Sequence, residues 1–217
     1  MAAKVLLTGF EPFGGQQINP SAQAVKDAAA VLNRAGISTL AVELPCVFGE
    51  AARRLRGELV RHRPELVVCV GQAAGRSGIG LERVAVNVDD AAIPDNVGEQ
   101  PIDRAIIDDG PAAYFSTLPL KACLQELTML QIPAEVSQTA GTYVCNHVFY
   151  ALMYELGGKD SAGARGGFVH IPCAPEQSPE GKLPVMEITT AAAAVEAVVR
   201  RSLQTTEDPT IAAGALH

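Results

Sequence analysis

Residues 65–71 (ELVVCVG) form an uninterrupted apolar run, and this run constrains the fold more than any other segment of the chain. Pro64 precedes the run, and a glycine-rich segment over 71–80 follows it. A continuous apolar run of this kind is typical of a central strand in a parallel sheet, which other elements cover on both faces. The run therefore predicts a sheet with helices packed on each side.

Strand patterns alternate with helix patterns along the rest of the chain. The other predicted strands lie at 4–9, 37–45, 81–90, 132–138 and 166–172. The predicted helices lie at 21–33, 49–62, 118–130, 145–156 and 186–204. This alternation predicts the α/β class with a largely parallel sheet, and it places a functional site in the loops that follow the strands.

Composition fits one domain and excludes several classes of function. Of the 217 residues, 48% are hydrophobic and 19% charged, so the chain can bury a substantial core. We expect one domain over 1–204 and a frayed tail over 205–217. The net charge of −7 and the pI near 5.1 argue against a nucleic-acid or anionic-membrane surface.

Targeting and cysteine patterns favour a cytoplasmic location. No stretch approaches the roughly 18 apolar residues that a membrane-spanning helix needs, and the first residues carry too short an apolar run for a signal peptide. Five cysteines without a CxxC pair favour free thiols in a reducing compartment.

Cys145 lies at the predicted start of a helix, in the segment 141–156 (GTYVCNHVFYALMYEL). The unpaired N–H groups of a helix N-terminus favour a thiolate, and they can also receive a developing oxyanion. The position therefore predicts a nucleophile for acyl transfer. The alternative is a buried cysteine that acts as a small hydrophobic residue.

A nucleophilic cysteine needs a base, and elimination among the four histidines favours His170. His147 lies two residues beyond Cys145 on the same helix, where side chains diverge. His62 ends a charged helix, and His217 is the terminal residue. His170 lies at the C-terminal end of an apolar strand, where an open sheet presents its site; the alternative is a core or capping histidine.

Strand parity indicates Glu82 as the acid that orients this base. The next three even positions, 84, 86 and 88, are valines, so Glu82 shares an apolar side of the predicted strand. A buried carboxylate must be paired, and an imidazole is one possible partner. The alternatives are an ion pair with Arg76 or Arg83, or exposure at a sheet edge. Three further acids rank lower because they lie in polar runs: Asp89, Asp90 and Asp95.

The loop that follows the first strand indicates a binding site for a flat, neutral group. Phe10 and Phe13 are two of only six phenylalanines, and Tyr143 can supply an opposite aromatic wall. Asn19 and Gln72 can offer amide hydrogen bonds. The alternatives are that the phenylalanines tuck beneath their own loop and that Asn19 caps a helix. The Gly9–Gly14 spacing suggests a phosphate loop, but no Lys-Ser/Thr follows it.

Five groups of motifs occur in one order: GFEPFGG with NPS, GQAAGR, LERVAVNVDD with IPDN, TYVCNH, and GGFVHIP with PEQ. Over roughly residues 4–200 the chain thus resembles the pyroglutamyl peptidase I family of cysteine peptidases. The resemblance implies removal of N-terminal pyroglutamate (5-oxoproline) without metal or cofactor. It also implies a three-layer α/β/α sandwich of the nucleoside-phosphorylase type, and a cytoplasmic homotetramer.

By the same resemblance, the nucleophile falls on Cys145, the base on His170 and the third member on Glu82. The aromatic pair that sandwiches the pyroglutamyl ring falls on Phe13 and Tyr143. Phe10 lies near this pair, and Asn19 falls on a position linked to substrate binding. Gln72 falls in the loop whose backbone meets the lactam.

The chain departs from the family pattern at three positions. Ala92 replaces an arginine, so the oxyanion would depend on backbone N–H groups at Cys145. Ala74 replaces a glycine. Position 143 is often Phe in the family, so Tyr143 adds a hydroxyl that needs a partner. Two rival functions are a nucleoside phosphorylase, for which the loops supply few cationic phosphate ligands, and a catalytically silent small-molecule binder or thiol redox sensor.

Overall fold

The computed structural model describes residues 4–158 and 163–214. Its strands are β1 (Val5–Phe10), β2 (Thr39–Leu44), β3 (Leu66–Gln72), β4 (Ile79–Glu82), β5 (Val84–Val86), β6 (Ala113–Phe115), β7 (Ala134–Ser137) and β8 (Arg165–Ile171). Its helices are α1 (Pro20–Arg34), α2 (Glu50–His62), α3 (Leu120–Met129), α4 (Val144–Leu156) and α5 (Ile188–Gln204). Across these ranges, every helix is too short or too polar to cross a membrane.

Six strands form one mixed sheet in the order β2-β1-β3-β8-β4-β7. Strands β2, β1, β3 and β8 run parallel, whereas β4 runs antiparallel to β8 and parallel to β7. Helices α1, α3 and α5 pack on one face, and α2 and α4 pack on the other. The prediction of an α/β/α sandwich with a largely parallel sheet is confirmed.

The apolar run of β3 is continuous because both of its faces are buried. Val68 and Val70 pack in the layer of α1 and α5, while Val67 and Cys69 pack in the layer of α4. The polar residues are therefore confined to the end of the strand, where Gln72 is half-buried. The functional groups described below lie at this end.

The predicted strand over 81–90 is wrong, because the chain leaves the main sheet after Glu82. Ile79–Glu82 stays in the sheet, whereas Val84–Val86 pairs antiparallel with β6 in a separate two-stranded sheet. In that small sheet Ala85 is buried and the two valines are only half-buried. The parity of the valines therefore does not explain the position of Glu82. Glu82 is buried because all of β4 is buried.

The described part of the predicted tail, 205–214, contains no helix or strand but is anchored rather than frayed. Asp208 Oδ1 accepts hydrogen bonds from the backbone N–H groups of Lys121 (2.8 Å) and Ala122 (3.1 Å). Helix α3 has no side-chain cap from Pro119, so Asp208 satisfies the exposed donors of its first turn. Residues 215–217 lie outside the described ranges.

Candidate active site

Three strands bring the central residues of the site into one row. Gly71 on β3 and Gly80 on β4 are both register partners of His170 on β8. Residues paired across adjacent strands share a face, and here that face is the one covered by α4. Cys145 is the second residue of α4, and its thiol lies over Gly71. A Cβ atom at Gly71 would be only 2.7 Å from Cys145 Sγ.

His170 and Glu82 form a buried hydrogen-bonded pair on this face. His170 Nδ1 lies 2.7 Å from Glu82 Oε1, and the two residues are 4% and 0% exposed. An ionised carboxylate can only accept, so Nδ1 carries the proton and Nε2 is left free as a base. The arrangement gives His170 the tautomer that proton abstraction from a thiol requires.

Arg76 pairs with the same carboxylate oxygen. Its Nη2 atom lies 3.0 Å from Glu82 Oε1. The sequence left two partners for Glu82 open as alternatives, an imidazole and an arginine, and the structure shows both at once. One oxygen of Glu82 is therefore hydrogen-bonded to His170 and ion-paired with Arg76.

The Cys145 thiol is half-buried, and its removal from water raises its pKa well above that of a free thiol. The negative charge of Glu82 raises the pKa further, while the Arg76 guanidinium lowers it. Burial thus opposes the thiolate that the N-terminus of α4 favours. Because Tyr143 supplies no side-chain cap, the first N–H groups of α4 are open to another acceptor.

We expect iodoacetamide to alkylate Cys145 slowly at acidic pH and increasingly fast at alkaline pH. The reactive form is the thiolate, so below the raised pKa its fraction grows about tenfold per pH unit. Mass spectrometry of the alkylated protein at several pH values measures this rate at Cys145. The other four thiols compete little because the reagent cannot reach them: Cys46, Cys69, Cys123 and Cys173 are each 3% exposed or less. A rate that stays high into acidic pH would instead show a thiolate–imidazolium pair at rest.

The aromatic side chains beside Cys145 form a cluster of three. The rings of Phe13 and Tyr143 are 5.9 Å apart, and Phe48 packs edge-on against Tyr143 at 5.3 Å. A flat ligand stacked between two rings needs a separation of about 7 Å. Phe13 and Tyr143 must therefore move apart before they can sandwich a ring. The Tyr143 hydroxyl finds the partner it needs, because it donates to the Pro94 carbonyl oxygen (3.1 Å).

Phe10 is not part of the loop wall that the sequence predicted. It is the last residue of β1, is 2% exposed, and packs against Phe168 with ring centroids 6.3 Å apart. Phe168 in turn lies 4.9 Å from the His170 ring. Phe10 therefore supports Phe168, the ring that packs against His170. It lies in the strand and not in the loop because β1 extends one residue further than predicted.

Asn19 and Gln72 are both engaged within the protein. Asn19 is the N-cap of α1, where its Oδ1 accepts from the Ser21 N–H (3.1 Å), and its Nδ2 donates to the Glu11 carbonyl oxygen (3.0 Å). Gln72 Nε2 donates to Cys173 Sγ (3.2 Å), and its Oε1 accepts from Gln177 Nε2 (3.1 Å). The helix-cap interpretation of Asn19 describes its side chain, and Gln177 is a further polar residue that the sequence did not indicate.

A second histidine–carboxylate pair lies nearby but differs in its connections. His147 Nδ1 lies 2.9 Å from Asp89 Oδ2, and its Nε2 accepts from the Gly49 N–H (3.2 Å). Both ring nitrogens are therefore occupied, so His147 joins α4 to the start of α2 and has no nitrogen free as a base. The prediction that His147 diverges from Cys145 agrees with these contacts.

Comparisons with known proteins point to one family. Residues 3–205 match the sequence profile of the pyroglutamyl peptidases. The chain is 50% identical over 216 residues to a pyrrolidone-carboxylate peptidase of Streptomyces coelicolor, covering 99% of each chain. It is also 50% identical over 217 residues to one of Klebsiella pneumoniae, covering 99% of this chain and 100% of the relative.

Solved structures give the same assignment. Pyroglutamyl peptidase I from Bacillus amyloliquefaciens superposes with a TM-score of 0.91 at 43% identity, covering 98% of this chain and 100% of that one. A mutant pyrrolidone carboxyl peptidase from Pyrococcus furiosus gives 0.84 at 38% identity, covering 92% and 98%. On sequence, on fold and on the extent of the match, the chain belongs to the pyroglutamyl peptidase family.

Proposed function

We propose that this protein removes N-terminal pyroglutamate from peptides through an acyl-enzyme on Cys145, with His170 as the base and Glu82 as the residue that orients it. Membership of the family supports the activity. The observation that supports the residue roles is the 2.7 Å hydrogen bond between His170 and Glu82. His170 is also the register partner of Gly71, the glycine that the Cys145 thiol covers.

Acylation begins from a neutral thiol. As Cys145 Sγ attacks the carbonyl carbon that joins pyroglutamate to the next residue, its proton passes to His170 Nε2. The carbonyl oxygen becomes an oxyanion, which the first N–H groups of α4 can receive. His170 then protonates the leaving amine as the C–N bond breaks, which leaves a thioester on Cys145.

Deacylation reverses these proton movements. His170 Nε2 takes a proton from water as its oxygen attacks the thioester carbon. When the C–S bond breaks, the sulfur recovers a proton from His170, and pyroglutamate leaves as its carboxylic acid. Throughout both steps Glu82 holds the Nδ1–H and stabilises the transient imidazolium, which is the task of the acid in a nucleophile–histidine–acid triad.

The aromatic cluster supports selection of the lactam ring. A pyroglutamyl group carries no cationic amine, so it can enter a slot formed by Phe13, Phe48 and Tyr143. An ordinary N-terminus would bring an ammonium ion, and removing this ion from water in a desolvated site is costly unless a carboxylate pairs with it. We therefore propose that ordinary aminopeptidase substrates are excluded.

We expect purified protein to release aminomethylcoumarin from its pyroglutamyl derivative and to leave the prolyl and glutamyl derivatives intact. The prolyl compound is the matched control, because its ring has the same size but carries an amine in place of the lactam. Initial rates by fluorescence measure the ratio of kcat/KM values. Comparable cleavage of the prolyl compound would contradict the proposed selectivity, and no cleavage of any would favour the silent-binder or redox-sensor alternative.

Location and assembly are further proposals. All five cysteines are free thiols, which supports a reducing cytoplasm. Membership of the family supports a homo-oligomer, and the family resemblance indicates a tetramer. Light scattering coupled to size-exclusion chromatography measures the mass of the assembly against that of the 22.7 kDa chain.

A further inference from the structure

Arg76 is held firmly beside Glu82, although it comes from a loop. Its Nη2 atom lies 3.0 Å from Glu82 Oε1, 3.1 Å from Ser137 Oγ and 3.0 Å from the Thr139 carbonyl oxygen. Its side chain is only 22% exposed. Two hydrogen-bond acceptors and one ion-pair partner, from two other segments, thus fix one end of the guanidinium, so its position relative to the carboxylate is built into the fold.

Gly80 provides the space for this guanidinium. It lies on β4 two residues before Glu82 and is the register partner of His170. A Cβ atom there would overlap Arg76 Nη1 and would lie 3.2 Å from Glu82 Oε1. The φ angle at Gly80 lies outside the left-handed region, so the lack of a side chain is explained by this close approach.

Few other charges act on the Glu82 carboxylate. Its Oε1 serves both His170 and Arg76, and its buried Oε2 accepts no hydrogen bond from the described residues. On the neighbouring strand β7, Glu135 lies 3.9 Å from Arg76 Nη1 with its side chain 70% exposed. Further titratable groups on this face are the Cys145 thiol of α4, the Cys69 thiol of β3 and the Cys46 thiol. Arg76 is therefore the principal counter-charge of Glu82.

We infer that Arg76 is a positioning residue for the reaction: it keeps the Glu82 carboxylate ionised and turned toward His170, and so keeps His170 a free base at neutral pH. Without Arg76, the buried negative charge would be shared with His170 alone. The His170–Glu82 pair would then hold an extra proton more tightly, whichever of the two residues carries it. A pair that holds this proton cannot accept one from Cys145. The inference adds Arg76 to the roles proposed for Cys145, His170 and Glu82.

We expect Arg76→Gln to move the acid limb of the kcat/KM pH profile to higher pH by about one unit or more, the usual effect of removing an opposite charge at this distance. Arg76→Lys keeps the charge and is expected to restore most of the shift. Gly80→Ala keeps the arginine but displaces it from the carboxylate, so its limb is expected to move in the same direction as that of Arg76→Gln.

Glu135→Gln is the matched control, because it removes a charge near Arg76 on the exposed side and is expected to leave the limb in place. The midpoint of the His170 ring titration by NMR, assigned with His170→Gln, reports the same shift without any turnover. This readout separates the role of Arg76 from the proposed activity. If neither the limb nor the NMR midpoint moves in Arg76→Gln and Gly80→Ala, while kcat or thermal stability falls, Arg76 is a purely structural residue and the inference is wrong.

Discussion

Replacing Cys145 with serine is expected to lower kcat for the pyroglutamyl substrate by roughly 10⁴-fold or more, the scale of loss when a nucleophile of this kind is removed. The side chain lies at the start of α4 over Gly71, so serine places a hydroxyl in the same position. An alcohol is a far weaker acid than a thiol, and the hydrophobic surroundings that raise the pKa of Cys145 disfavour an alkoxide still more. Steady-state rates of the purified variant measure the loss.

The same exchange at Cys123 is the control for this result. Cys123 is buried in α3 on the opposite face of the sheet, and its Sγ lies 3.6 Å from Ser202 Oγ and 3.8 Å from the Val198 carbonyl oxygen. A serine hydroxyl can therefore find partners there, and we expect kcat to be unchanged. If Cys145→Ser keeps the same kcat as Cys123→Ser, Cys145 is not the nucleophile.

Elements whose pattern depends only on their own residues could be predicted from the sequence. The apolar runs of β3 and β8 indicated buried strands because both faces of each are covered. The start of α4 could be placed near Cys145 because the apolar positions of one helix face begin at Val148. Elimination among four histidines then sufficed to bring out His170, which the structure pairs with Glu82.

Features that depend on which strands become neighbours could not be predicted in this way. Glu82 was chosen on the parity of a strand that in fact breaks at Arg83, so the choice agrees with the structure for a different reason. The approach of Arg76 to the same carboxylate depends on the glycine at position 80 and on β7. The sequence could therefore name both partners of Glu82 but could not show that they share one oxygen.

The aromatic cluster illustrates the same limit. Phe48 comes from the loop after β2, and it reaches Tyr143 only because α2 and α4 pack side by side on one face of the sheet. In contrast, the sequence predicts Phe10 in a loop because the predicted first strand, 4–9, ends one residue before it. The chain stays paired with β2 through Phe10, so its ring is buried. The strand pairing with β2, which the sequence pattern does not show, thus decides where β1 ends.

Gly71→Ala is expected to lower kcat/KM by about 100-fold, the scale of loss for a misplacement near 1 Å in an active site. The added methyl group would lie 2.7 Å from Cys145 Sγ and 2.9 Å from the Phe168 ring, both well inside contact distance. The thiol would have to rise from the sheet, and Phe168 would be pushed toward His170, whose ring is 4.9 Å away. One methyl group thus disturbs the nucleophile and the base together. Steady-state kinetics and the melting temperature of the variant measure both effects.

Gly57→Ala is the matched control, since the same methyl group enters an exposed position of α2 where no atom lies within 4 Å. Alanine is the better helix former by up to about 1 kcal/mol, so this variant is expected to be at least as stable as the parent and fully active. Overpacking at Gly71 costs about 1–3 kcal/mol of the free energy of unfolding, which a domain of this size can absorb without unfolding. The predicted result is therefore a folded protein with a displaced thiol. Full activity in Gly71→Ala would mean that Cys145 does not rest against the sheet during the reaction, and that the row of Gly71 and His170 does not position the nucleophile for its base.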